Sequence, residues 1–368
     1  MTYTKLSNVD NALTFDDVQI IPKYSDIASR SQCNTICEFT ENYQLEIPLV
    51  ASPMASVCGS EMAKKMWSLG GAGIIHRFNT VDEQVEMVNS VKQYIDQEKT
   101  GKFFPDSVGG VPLRYRSPVI AAAVGAKDSD IYRAEGLISA GANVILIDVA
   151  HGEHISVKET LEELGRLRDK YEFDIIAGNI ATEEAAATLE LWGADALRVG
   201  IGGGSVCETR IRTGVGIPQL TSIWNVSRTA NTPVISCGGA RYPGDIAKAL
   251  VAGASTVILG SMFSGTTESP GDIYHFGEYG KRHAKKLFHG SASDVQKTLS
   301  DSDWRNIEGT ATMVPYKGSV VNVVREIMEG VRSAMSYVGA RDLHEFFIKG
   351  EFVQISPSGF KEGTPHLL

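Results

Sequence analysis

Residues 200–210 read GIGGGSVCETR, four glycines leading to a serine, a valine and Cys207. Such backbone can approach a ligand closely, and the thiol is followed by Glu208, Thr209 and Arg210. A thiolate attacks electron-poor carbon well when a nearby base or dipole activates it. Most thiols are instead buried and inert, so spacing alone leaves Cys207 as either a nucleophile or a packing residue. Two more glycine stretches occur: Ser236-Cys237-Gly238-Gly239 and Gly260-Ser261. Backbone N–H groups of such loops close around phosphate oxygens, and three stretches together favour a phosphate site over simple turns. Asp148 could hold a hydroxyl or form a structural ion pair. Met54 could pack on a ligand ring or fill the core. His151 and His154 stand three apart on a Gly-containing loop, but no third metal ligand accompanies them.

These residues sit at the ends of eight short apolar runs: 47–54, 71–77, 117–125, 143–150, 173–180, 195–202, 232–239 and 255–262. Runs apolar throughout suit parallel strands buried on both faces. Helical patterns such as SEMAKKMWSLGG, SDIYRAEGLISAGAN, TEEAAATLELWGAD and GDIAKALVAGAS lie between them, each followed by a glycine that would cap its end. Eight strand–helix units predict an α/β protein, a (β/α)8 TIM barrel, with function in the loops after each strand. A doubly wound open sheet is the alternative, but its GxGxxG fingerprint after the first strand is missing. The whole chain, 1–368, reads as one domain with no inserted regulatory domain. Residues 88–117 read as a polar excursion, and 280–320 as a flap and active-site loop.

Bulk properties narrow the partners. The net charge of −9 disfavours non-specific nucleic-acid binding. Five cysteines, Cys33, Cys37, Cys58, Cys207 and Cys237, make an odd number in a long chain, which disfavours a disulfide framework. The polar start is no signal peptide, and no apolar run approaches the ~20 residues of a membrane span. A reducing cytoplasm is the expected compartment.

The loop GIGGGSVCETRIRTGVGIPQL (200–220) resembles the cysteine loop of the IMP dehydrogenase/GMP reductase family. So do LTFDDVQIIP (13–22), SPMASV (52–57), AGNIAT (177–182), GSMFSGTTESPG (260–271) and VPYKGSV (314–320), in order along nearly the whole chain. The resemblance implies a cytoplasmic homotetrameric barrel acting on a purine nucleoside 5′-monophosphate, with neither nucleic acid nor membrane as partner. The cysteine would attack purine C2 to give a covalent thioimidate. Three features point to the GMP reductase branch: no room for a regulatory domain, no Arg-Tyr pair in the short flap, and the segment WRNIEGTATMVPYKG. The implied reaction is NADPH-dependent conversion of GMP, or dGMP, to the hypoxanthine nucleotide with release of ammonia. Cys207 would be the nucleophile, with Thr209 and Glu308 relaying a proton. Ser205, Ser236, Gly238, Gly239, Gly260, Ser261, Gly290 and Ser291 would hold phosphate and sugar alongside Cys237, with Met54 and Arg305 at the base. Arg77, Asp148 and Asn179 would meet the cofactor, with Ser333 and Gly339 of a neighbouring subunit. Potassium would sit on Gly202, Gly204 and Cys207. IMP oxidation with NAD and a non-catalytic nucleotide-binding protein are the rival readings.

Departures from the family pattern bear on the substrate. Where the family usually has SDGG, this chain has Ser236-Cys237-Gly238-Gly239. A thiol replaces a carboxylate that accepts both ribose hydroxyls, and thiols are poor acceptors. A 2′-deoxynucleotide such as dGMP, or a modified purine nucleotide, is one expectation; a compensating acceptor such as Asp148 is the other. Ala55 stands where an acid is usual, and His289-Gly290-Ser291-Ala292 lacks the usual tyrosine and methionine. Glu208 beside the nucleophile would raise the thiol's pKa.

Overall fold

In the computed structural model, residues 11–100, 118–277, 283–299 and 307–365 are described. Eight parallel strands form a closed barrel: β1 (Leu49–Ala51), β2 (Ala72–Ile75), β3 (Ala121–Val124), β4 (Val144–Asp148), β5 (Asp174–Ile180), β6 (Ala196–Val199), β7 (Val234–Cys237) and β8 (Thr256–Leu259). They neighbour one another in chain order, and β8 closes on β1 through Val257↔Leu49 and Leu259↔Ala51. Each lies in one of the eight apolar runs, as the barrel reading requires. The runs are apolar at successive positions because both faces are covered. Val50, Ile74, Leu146, Ile176, Ile235 and Ile258 form an inner cluster. Their neighbours Leu49, Ile75, Ile145, Ile147 and Val257 join the layer between strands and helices, as the two-residue repeat of a strand demands.

The N-terminal end of the barrel is plugged by the ribbon Cys37–Glu38 and Gln44–Leu45. Phe39 and Leu45 pack in the inner cluster. Asp174, the first residue of β5, accepts hydrogen bonds from Thr40 Oγ1 at 2.6 Å and Asn42 N at 3.0 Å. The opposite mouth is left for ligands.

Eight helices surround the strands: α1 (Ser60–Ser68), α2 (Val81–Thr100), α3 (Asp128–Ala140), α4 (Ile155–Leu167), α5 (Glu183–Leu191), α6 (Gln219–Ser227), α7 (Pro243–Val251) and α8 (Val320–Val338). The expected glycine stops are present. Gly141 has φ +113° directly after α3, and its N–H donates to the carbonyls of Leu137 and Ile138. Gly70, Gly193 and Gly253 take positive φ just past α1, α5 and α7, a backbone region open to glycine without a Cβ penalty. No helix among the described residues is long and apolar enough to cross a membrane.

Two expectations are adjusted. The polar excursion over 88–117 does not begin at residue 88, because α2 runs on to Thr100. Val88, Val91 and Ile95 are buried at helical spacing and hold that stretch to the core; residues 101–117 lie outside the described residues. In the 280–320 segment, His283–His289 and Ala311–Pro315 pair as an antiparallel sheet that Tyr274–Phe276 extends, between β8 and α8.

His76, in the turn after β2, is 6% exposed, and its Nδ1 accepts from Phe78 N at 3.2 Å. Burial first, then the neighbouring His289, pushes its pKa from 6.5 down to about 4. The unfolded chain therefore takes up a proton that the folded chain resists. Stability from this site is full above pH 6.5 and is lost as pH falls toward 4. We predict that wild type loses about 3 kcal/mol relative to His76→Gln across that window. Urea melts of both proteins at several pH values would read it, and a pH-independent difference would refute it.

Candidate active site

Loops at the C-terminal ends of the strands line a cavity of about 340 Å³, within the size range of small-molecule sites. Loops after the neighbouring strands β6, β7 and β8 contribute Gly202, Gly204, Ser205, Cys207, Cys237, Gly238, Gly239, Gly260 and Ser261. Across the mouth, loops after β2, β4 and β5 contribute Arg77, Phe78, Asp148 and Asn179. Met54, Gly290, Ser291 and Glu308 complete the expected lining.

The thiol is exposed, and its surroundings favour chemistry over packing. Cys207 Sγ donates to Thr209 Oγ1 at 3.3 Å, and Thr209 Oγ1 donates to Glu308 Oε2 at 2.7 Å. The partners are 99 residues apart in sequence and are joined by backbone. Glu208 N donates to Glu308 O at 2.7 Å, Thr310 N to Val206 O at 2.9 Å, and Gly309 bridges Cys207. A proton leaving sulfur therefore has a hydroxyl and then a carboxylate to travel to. The Glu208 carboxylate is not left as an unpaired charge beside the thiol: it pairs with Arg212 at 2.6 Å. Arg210 ties down the root of the loop, donating to the carbonyls of Ile201 at 2.8 Å and Ile217 at 2.6 Å.

The glycine loops touch. A Cβ on Gly238 would lie 3.1 Å from Gly203 C and Gly204 N, and Gly238 has φ +100°. Ser205 Oγ donates to Ser261 Oγ at 3.0 Å, joining the sixth and eighth loops. Lys317 Nζ supports the latter, donating to the carbonyls of Ser261 and Met262 at 2.9 and 3.1 Å. Gly238→Ala meets both strain and contact, so we predict a loss of about 1–2 kcal/mol in stability, read by urea midpoint, and weaker inorganic phosphate binding, read by calorimetry.

Arg198 was not among the sequence candidates. It is 6% exposed, its Nη1 bonds Asp148 Oδ1 and its Nε donates to Cys237 Sγ at 3.2 Å. Burial works against its charge, but Cys237 and Asp148 outweigh that and hold its pKa above the usual arginine value. Asp148 also takes Arg77, whose Nε lies 3.6 Å from Oδ2 and whose Nη2 donates to the Asp148 carbonyl at 3.2 Å. A lone arginine inside the apolar run ALRV was the available signal, since a buried charge needs a partner. Phe78, Ser52 and Phe288 also line the cavity without having been singled out.

Several expected residues fall elsewhere. Ser236 is fully buried and outside the lining, receiving Gln219 Nε2 at 3.3 Å; Cys237, one position on, faces the cavity by strand alternation. Ser333 and Gly339, expected to act from a neighbouring subunit, lie away from this chain's own cavity. Ser333 Oγ donates to Glu329 O within α8, and Gly339 caps that helix. Asn179 lines the cavity, but its Nδ2 is spent on Gly200 O at 2.5 Å. His154 caps α4, its Nδ1 accepting from Ser156 N. Arg305 lies outside the described residues. At the residues expected to hold potassium, Gly204 O accepts from Cys207 N at 3.0 Å, and Gly202 packs against the Arg210 stem, a Cβ there lying 2.5 Å from Arg210 Cγ.

With this geometry in view, comparisons with known proteins agree on one family. A family model for the IMP dehydrogenase / GMP reductase domain matches residues 12–366. The inosine-5′-monophosphate dehydrogenase of Cryptosporidium parvum is 35% identical over 391 residues, covering 98% of this chain and 96% of that protein. That of Nitrosopumilus maritimus is 34% identical, covering 96% and 98%. A crystal structure of a GMP reductase from Trypanosoma brucei, in complex with guanosine 5′-monophosphate, superposes with TM-score 0.86 at 28% identity, covering 99% of both chains.

Proposed function

The chain belongs to the IMP dehydrogenase/GMP reductase family, and we propose that it performs the reductive reaction, turning a guanine nucleoside 5′-monophosphate and NADPH into the hypoxanthine nucleotide, ammonia and NADP⁺. The single observation that carries this reading is the chain of hydrogen bonds from Cys207 through Thr209 to Glu308. Replacing an amino group by sulfur needs one proton moved from thiol to amine, and this relay runs between those points.

The amides of Gly238, Gly239, Gly260 and Ser291 hold the phosphate, and Met54 lies against the base. Cys207 Sγ bonds to C2 as its proton passes through Thr209 to Glu308. Glu308 then acts as general acid, delivering that proton to the 2-amino group, which departs as ammonia and leaves the C2 thioimidate. When bound, NADPH supplies a hydride to C2. The C2–S bond breaks, and the Cys207 thiolate takes a proton from solvent. Atoms balance: nucleotide, NADPH and one proton give product, ammonia and NADP⁺.

The residues opposite Cys207 fit a nicotinamide nucleotide. Phe78 lines this side under the Arg77 guanidinium, and the buried Arg77 Nε has no hydrogen-bond partner. No step passes through potassium, and the oligomer we assign is a homotetramer, testable by light scattering.

The test follows 340 nm absorbance and ammonia together. Ammonia released in step with NADPH oxidation supports the reductase. The curated relatives named above are dehydrogenases, so oxidation of IMP with NAD⁺ is the second reading. NADH formed from IMP, with no ammonia from guanine nucleotides, would establish it instead.

A further inference from the structure

A nucleotide whose phosphate meets the Gly238 and Gly239 amides and whose purine reaches Cys207 must carry its sugar across the ends of β6 and β7. Arg198 and Cys237 stand there, and both line the cavity. Among the described lining residues the carboxylates are Asp148 and Glu308. Asp148 is half committed: Oδ1 takes Arg198, while Oδ2 lies 3.6 Å from Arg77 Nε, outside hydrogen-bond reach, and stays open to one hydroxyl. Glu308 is committed to Thr209. The Cys237 sulfur is a weak acceptor and already receives Arg198 Nε. This wall therefore offers one free carboxylate oxygen, enough for the single hydroxyl of a 2′-deoxyribose but not for two. A sugar with two hydroxyls needs acceptors for two O–H groups that have left water, and an unmet buried donor is costly.

We propose that the substrate's sugar is 2′-deoxyribose, so that the enzyme acts on a purine 2′-deoxyribonucleoside 5′-monophosphate, with Cys237 and the single free oxygen of Asp148 setting that preference. The turnover arm of its test rests on the reductase reading; the binding arm does not.

The experiment compares dGMP with GMP on the full-length protein, by kcat/KM for NADPH oxidation and by calorimetric Kd for the same pair. The expected result is a preference for dGMP of at least about tenfold in both. Cys237→Asp, which returns a carboxylate to the wall, should move both ratios at least about tenfold toward GMP. Cys237→Ser, a smaller perturbation of the fold, should move them the same way by less. GMP used or bound at least as well as dGMP by wild type would overturn the proposal. If neither nucleotide oxidises NADPH, the reductase reading fails, and the Kd ratio still decides the sugar.

Discussion

Cys207→Ser is expected to lower kcat/KM by about 10⁴-fold or more while nucleotide binding stays within severalfold. A hydroxyl is a weak nucleophile at its own pKa, and removing the group that makes the covalent bond removes a whole step rather than one contact. The exposed thiol touches the Thr209 hydroxyl and no core residue is built around it, so the fold should survive. Steady-state assay and calorimetry read the two halves separately. Intact-mass measurement adds a direct view: wild type mixed with hypoxanthine nucleotide and NADP⁺ gains the mass of a purine nucleotide adduct, and Cys207→Ser gains none. Retention of substantial turnover in the serine variant would remove Cys207 from the chemistry.

Glu308→Gln should cost about 10²–10⁴-fold in turnover, the span usual for a positioned acid–base group. Glutamine can keep the 2.7 Å bond to Thr209 but cannot carry the proton onward. Ammonia release and NADPH oxidation should fall together. The half-reaction from hypoxanthine nucleotide and NADP⁺ needs no amine to leave, so its single-turnover burst of NADPH should persist. Loss of that burst along with turnover would make Glu308 a structural strut instead.

The barrel was legible because the apolar runs are long enough, and close enough together, to demand burial on both faces. Cys207, the glycine loops and Glu308 were legible too, and the structure brings them to one cavity although 99 residues separate Thr209 from Glu308. Ser236 was misplaced because a motif read as a string ignores alternation: one step along β7 carries a side chain from the cavity to the far face. Arg198 was passed over because it interrupts an apolar run, where only the fold reveals that Asp148 and Cys237 wait beside it. Residues 88–100 looked polar enough for a loop because α2 buries one stripe only.

The backbone ladder between residues 206–208 and 308–310 has a consequence for when the enzyme is reactive. The same hydrogen bonds that seat the segment 308–310 on the cysteine loop also hold Glu308 at the end of the relay. Under the proposed mechanism, any motion that lifts this segment to admit or release a nucleotide would take the acid away in the same stroke. Access and reactivity are thus interlocked, as in a machine that cannot run with its door open. A thiol met by solvent with this segment raised would have no Glu308 to receive its proton.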